Sequence, residues 1–231
     1  MGKPEIIGIT AGVILIGLLI WATRGWQRRR VEALQRVAAM LGLTYVGRSK
    51  SLPMTEVKKF KLFRRAGTIV ELMRGQFHGR TVAVFRYIIV THYGHGASAS
   101  LWRVAAFQAP VPLPSFQMRP QNWFTRLKHR LAGRDIIFET HPEVIRRFYI
   151  TAPDQNAVRN FFDGQVLSQL TTIPSSKFIV EANGNWIVLY HHVRMNPKPE
   201  SIPGFLEAAD SLASIFLGRY SQRSSGSGRV R

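Results

Sequence analysis

The sequence predicts an α+β domain behind one N-terminal membrane-spanning helix. Three observations carry that expectation. Residues 6–23 form an uncharged apolar run. Stretches rich in β-branched and aromatic residues flank short turn signals. Between them lie segments whose apolar residues recur at helical spacing.

The run 6–23 holds eighteen residues. As a helix it spans roughly 27 Å, close to the hydrocarbon thickness of a bilayer. Its preceding segment carries only Lys3, offset by Glu5, and Ile20 and Trp21 are too bulky for a signal-peptidase site. The run therefore reads as an uncleaved anchor, with Ile6, Gly8, Gly12, Leu18, Trp21 and Trp26 as its marking residues. Arg24, Arg28, Arg29 and Arg30 follow it directly. By the positive-inside rule, residues 1–5 lie outside and the main domain is cytoplasmic. Gly8 and Gly12 have the spacing that lets two such helices meet closely, so a homodimer could form through them.

Residues 24–42 predict a basic juxtamembrane amphipathic helix, with Val31, Leu34, Val37, Ala38 and Leu41 inward and Gly42 as its stop. A short strand follows over 43–46. Residues 48–67 read as a basic loop in which Phe60, Leu62 and Phe63 interleave with Lys58, Lys59, Lys61, Arg64 and Arg65. Two uses fit this mixture: contact with anionic lipid, or a solvated loop whose aromatics cap the core.

Strands are predicted over 69–77 and 80–90 around His78-Gly79, and over 101–108 after the Gly-rich connection 91–98. These make an antiparallel meander. Pro110, Pro112 and Pro114 predict an extended crossing segment. A short helix over 122–131 and a strand over 135–139 come next. Further helices are predicted from Pro142, over 153–162 and over 165–171, with an extended stretch at 148–151. Asn183-Gly184 predicts a hairpin between 177–182 and 186–191. The last helix runs over 203–217, with Phe205, Ala209, Leu212 and Phe216 as its core stripe and Gly218 at its end. The domain proper thus covers 43–219, and 220–231 reads as a disordered basic tail.

Composition bounds the function. The chain has 32 basic and 13 acidic residues, a net charge of +19 and no cysteine. Without cysteine there are no disulfides, no thiolate metal sites and no Cys nucleophile. The excess of cations suits anionic lipid headgroups or an acidic protein partner. Nucleic acid fits less well. The aromatic and basic residues over 123–130 segregate to separate faces of an ordinary helix, and the adjoining anchor makes lipid the nearer polyanion.

No catalytic constellation is visible. The phosphate-binding and nucleophile-elbow motifs are absent, and the carboxylates are scattered. His92 and His95 are the best speculative ligands, but two imidazoles without a nearby acid do not complete a zinc site. No metal and no cofactor is implied. His191 and His192 are adjacent in a strand and should face opposite ways.

Several stretches together carry a resemblance. They are residues 79–87 (GRTVAVFRY), 104–107 (VAAF), 113–116 (LPSF), 118–120 (MRP), 135–138 (DIIF), 141–143 (HPE), 156–162 (NAVRNFF) and 183–186 (NGNW). In these the chain resembles an uncharacterised family of bacterial single-span membrane proteins, over residues 27–217. The resemblance implies an anchor, a helix and an α+β domain at the bacterial inner membrane, and it transfers no activity. Arg86 stands where an acidic residue is expected between Phe85 and Tyr87, so no role of an acid there carries over.

The sequence thus points to a membrane-anchored, non-catalytic cytoplasmic interaction domain with a basic surface. The alternative is a membrane-tethered enzyme or small-ligand-binding domain that uses the Gly- and His-rich connection 91–98.

Overall fold

The structure, a computed structural model, describes residues 24–52, 54, 57–94, 96–121, 136, 138, 140–173 and 177–226. The expected anchor over 6–23, with Ile6, Gly8, Gly12, Leu18 and Trp21, lies outside them. So do His95, the helix expected over 122–131 and most of the strand expected over 135–139. Among the described residues no helix is long and apolar enough to cross a membrane.

The fold is α+β around one antiparallel six-stranded sheet. Helix α1, residues 24–40, buries Leu34, Val37 and Ala38, while Val31 stays exposed. Gly42 ends it at φ +68, a conformation that glycine adopts without strain. Strand β1 (Leu43–Ser49) leads into a strap that contains two 3-10 turns, Val57–Lys59 and Lys61–Arg64. Strands β2 (Thr68–Phe77) and β3 (Arg80–Tyr93) join through His78 and Gly79, at φ 46 and 76. Positive φ at both central residues is the tight-hairpin geometry expected there.

Strand β4 is longer than predicted, running Gly96–Pro120. It pairs with β3 in unbroken register from Val82↔Phe107 to Tyr93↔Gly96. The connection expected over 91–98 is therefore mostly ladder. Only Gly94 and residue 95 separate the strands. Beyond the reach of β2 and β6, residues 89–93 and 96–100 pair with each other alone and form a projecting ribbon.

Helix α2 (Pro142–Arg147), strand β5 (Phe148–Thr151), helix α3 (Gln155–Phe161) and helix α4 (Gly164–Thr172) follow nearly as predicted. Asp154 and Asp163 cap α3 and α4 by accepting from Ala157 N and Val166 N. Arg147 donates to the carbonyls of Leu170, Thr171 and Ile173, which closes the C-terminal end of α4.

Strand β6 (Ile179–His192) is assigned as one strand, yet it doubles back. The Tyr190 hydroxyl lies 2.5 Å from Glu181, nine residues earlier, and the rings of Phe178 and His191 are 5.5 Å apart. Nine residues of straight strand would separate their ends by about 30 Å. The reversal sits at Gly184, at φ 53, where a hairpin was expected. Strand β4 follows it round. Trp102–Gln108 pairs with Trp186–His192, and Phe116–Met118 with Val180–Ala182. The register slips twice between, across Pro110, Pro112 and Pro114, which lack the N–H that a ladder needs.

Helix α5 (Ile202–Gly226) continues past Gly218, so the expected stop and the expected disorder from residue 220 do not hold as far as 226. A lone glycine costs a helix only about 1 kcal/mol. The expected stripe of Phe205, Ala209, Leu212 and Phe216 is buried.

The sheet separates two cores. Helices α1, α3, α4 and α5 cover one face, where Val82, Val84, Phe107, Phe116 and Leu189 meet Phe162 and Phe216. The strap covers the other, where Ala83, Phe85, Tyr87, Val104 and Val188 meet Phe60, Leu62 and Phe63. Alternation along β3 sends Val82 and Val84 to the helices and Ala83 and Phe85 to the strap.

Candidate functional site

The strap is built by its own periodicity. In consecutive 3-10 turns, residues three apart share a side, which places Phe60 and Phe63 together. Their rings meet at 6.2 Å, and Phe63 packs edge-on against Tyr87 at 5.1 Å. Full burial of each large apolar side chain contributes roughly 1.5–3 kcal/mol. Lys58, Lys59, Arg64 and Arg65 are all exposed. The strap's exit is pinned as well. Tyr87 donates to the Arg65 carbonyl at 2.8 Å, and a Cβ on Gly67 would lie 2.5 Å from the Tyr87 ring.

Beneath the strap is a buried polar network. Glu181 Oε1 accepts from Gln117 Nε2 at 2.6 Å and from the Tyr190 hydroxyl, and its Oε2 accepts from the Lys61 backbone N–H at 2.5 Å. The Lys61 ammonium donates to Gln117 Oε1 at 3.0 Å. Lys61 thus braces the strap against β4 and β6, which the reading of it as a lipid-facing cation did not anticipate. Burial first, then the Glu181 charge and its hydrogen bond, push the Tyr190 phenol well above the ordinary tyrosine range.

A cavity of about 790 Å³ opens beside this network. Lys59, Lys61, Arg64 and Arg119 line it with Ser115, Tyr149, Thr151 and Glu181, and Phe60, Phe116 and Ala182 supply apolar wall.

The cations after the expected anchor divide. Arg24, Arg28, Arg29 and Trp26 are exposed. Arg30 is not lipid-facing. Its guanidinium reaches Glu71 Oε1 at 2.8 Å and the Pro197 carbonyl at 3.0 Å, and it lies over the Trp26 ring. Arg86 reaches the same Glu71 oxygen at 2.9 Å. Arg86 thus finds its acidic partner on the neighbouring strand. A bulge between Val70 and Met73, with Glu71 at φ 58, aims it there. Arg103, also buried, donates to Ser201 Oγ and stacks over Phe205. Burial lowers the pKa of Arg86 and Arg103, and Glu71 opposes the shift in both.

The histidines separate. His92 is exposed on the projecting ribbon, opposite Ala97. His191 packs between Phe178 and Phe205, and burial lowers its pKa. His192 is exposed against the Trp102 edge, on the opposite face as expected. His78, at the β2–β3 turn, has the acidic partner that sequence reasoning missed. Its Nδ1 lies 2.9 Å from Asp210 Oδ2, while Arg80 donates to Asp210 Oδ1 at 2.7 Å and to Ser214 Oγ at 2.8 Å. The serine hydroxyl faces Arg80 and the Asp210 carbonyl, so the cluster is a clasp between turn and helix α5. Among the described residues no three His, Asp or Glu side chains gather as a metal site.

No protein-family model and no curated protein matches the chain. Among solved structures, the crystal structure of the mycobacterial trehalose monomycolate transport factor A, TtfA, is similar at 17% identity and a TM-score of 0.49. It covers 81% of this chain and 92% of that one.

Proposed function

We propose that this chain is a membrane-tethered, non-catalytic interaction domain of the bacterial inner membrane. In this reading residues 6–23 cross the bilayer once, the N-terminus lies outside, and the α+β domain faces the cytoplasm. The basic surface meets anionic lipid headgroups or an acidic partner protein. The observation that carries the reading is the strap. Its aromatics are buried in the core, so the exposed Lys58 and Arg65 sit on a fixed ledge rather than a loose loop. The other reading, a ligand loop at 91–98, draws no support from a segment that pairs residue for residue up to Tyr93 and Gly96.

The test is flotation of the chain from residue 24 onward with vesicles. Binding is expected to phosphatidylglycerol vesicles and not to phosphatidylcholine vesicles, with release by salt. Each cation near the headgroups contributes about 1 kcal/mol, so the double variant Lys58→Ala, Arg65→Ala should weaken binding by about 2 kcal/mol. Equal binding to neutral vesicles at high salt would overturn the reading.

A further inference from the structure

We infer that the cavity beneath the strap is a binding site for a phosphoryl-bearing ligand. Among the described residues four cationic side chains line it, Lys59, Lys61, Arg64 and Arg119, against one carboxylate. Both Glu181 oxygens are already engaged, by Gln117 and Tyr190 on one side and by the Lys61 N–H on the other. Glu181 organises the wall, and among the described lining residues the cations outnumber it.

The donor set suits a tetrahedral dianion. Guanidinium groups offer paired N–H donors to phosphoryl oxygens, and an ammonium adds a point charge. Arg64 and Arg119 make no ion pair with any described residue.

The cavity's size says the ligand is more than the bare ion. Sites for small molecules commonly measure about 300–1,000 Å³, and this one falls among them. Phe60, Phe116 and Ala182 give the remainder of the ligand an apolar wall. The phosphoryl group could belong to a soluble metabolite or to a lipid headgroup, and both present the same chemistry to these residues. The site does not require the membrane tether or the outer ledge. Lys58 and Arg65 lie outside the cavity lining, and Arg119 and Thr151 lie outside the strap.

The experiment is calorimetric titration of the full chain in neutral detergent, with inorganic phosphate in one arm and dihexanoyl phosphatidic acid below its micelle concentration in the other. Saturable binding is expected in at least one arm. Tighter binding of the phosphatidic acid assigns the site to a headgroup, and equal or tighter binding of phosphate assigns it to a soluble phosphoryl compound. Arg119→Ala should weaken the binding at least tenfold. Lys58→Ala with Arg65→Ala should leave it unchanged, which separates this site from the lipid-facing ledge. Arg119 is exposed, so its variant should keep the wild-type melting temperature. Absence of saturable binding in both arms would overturn the inference, as would wild-type affinity in Arg119→Ala.

Discussion

Replacing Glu71 with glutamine should be among the most damaging single-atom changes in the domain. Glu71 bridges Arg30 on α1 and Arg86 on β3, with side chains only 11–13% exposed. Both arginines bind the same oxygen, Oε1. Their terminal nitrogens therefore lie no more than about 6 Å apart, where two unit charges at an effective dielectric of about 20 repel by about 3 kcal/mol. Glutamine keeps the shape, and it keeps the positive φ of residue 71, so backbone strain is unchanged. It removes the charge that offsets the repulsion. Breaking a buried pair in this way costs about 3–5 kcal/mol. For a domain of this size that is roughly a 10 °C fall in melting temperature. The assay is urea unfolding of the chain from residue 24, followed by tryptophan fluorescence. A second variant closes the argument. Adding Arg86→Met to Glu71→Gln removes one of the two stranded charges and should recover at least about 1 kcal/mol. A loss below about 1 kcal/mol, or no recovery in the double variant, would refute the electrostatic account of how α1 is held to the sheet.

Three further outcomes follow from the same structure. Phe60→Ala should cost about 3–5 kcal/mol in the same unfolding assay, because Phe60 is almost wholly buried under the strap. Asp210→Asn weakens the charge-assisted contacts to Arg80 and His78 and should cost about 1.5–3 kcal/mol, with faster amide exchange at the β2–β3 turn and over 202–218. His191 gives a pH dependence whose sign is fixed. Its folded pKa is lowered by burial, so its contribution to stability is present above the unfolded value of about 6.5 and is lost as pH falls through the folded value. Melting temperatures taken on either side of that value should converge in His191→Phe relative to the wild type. An unchanged acid dependence in the variant would mean that other groups dominate.

Local chemistry was the legible part of this chain. The His78-Gly79 and Asn183-Gly184 turns, the starts of α2, α3 and α4, and the core stripe of α5 all rest on a few neighbouring residues, and each was readable. The strap's aromatic and basic mixture was readable as two alternatives, and the burial of Phe60, Leu62 and Phe63 makes them the cap of a core. What was not readable depends on partners distant in sequence. Nothing near Glu71 announces the bulge that turns it toward Arg30 and Arg86. Prolines at 110, 112 and 114 signalled irregular pairing, yet not that β4 would continue beyond them as it rounds the turn of β6. Gly218 looked like a helix stop because glycine is common there, but the helix carries on through it. The cavity gathers residues from the strap, the end of β4, β5 and the start of β6, so no window of sequence contains it. Its one local signal, a run of lysine and arginine over 58–65, reads as a surface feature because the sequence does not show what lies behind it.

The reversal of β6 against the two ends of β4 has a consequence for how the chain is made. During synthesis β4 emerges long before β6, and the edge that β6 covers stays open until residues 179–192 arrive. The N-terminal part can assemble the meander of β1, β2 and β3 against the start of β4, but it cannot complete the sheet or close either core. Pairings so distant in sequence are slow to form, and the exposed edge is a site for misassembly meanwhile. Truncation before residue 179 should therefore leave an aggregation-prone fragment rather than a smaller domain.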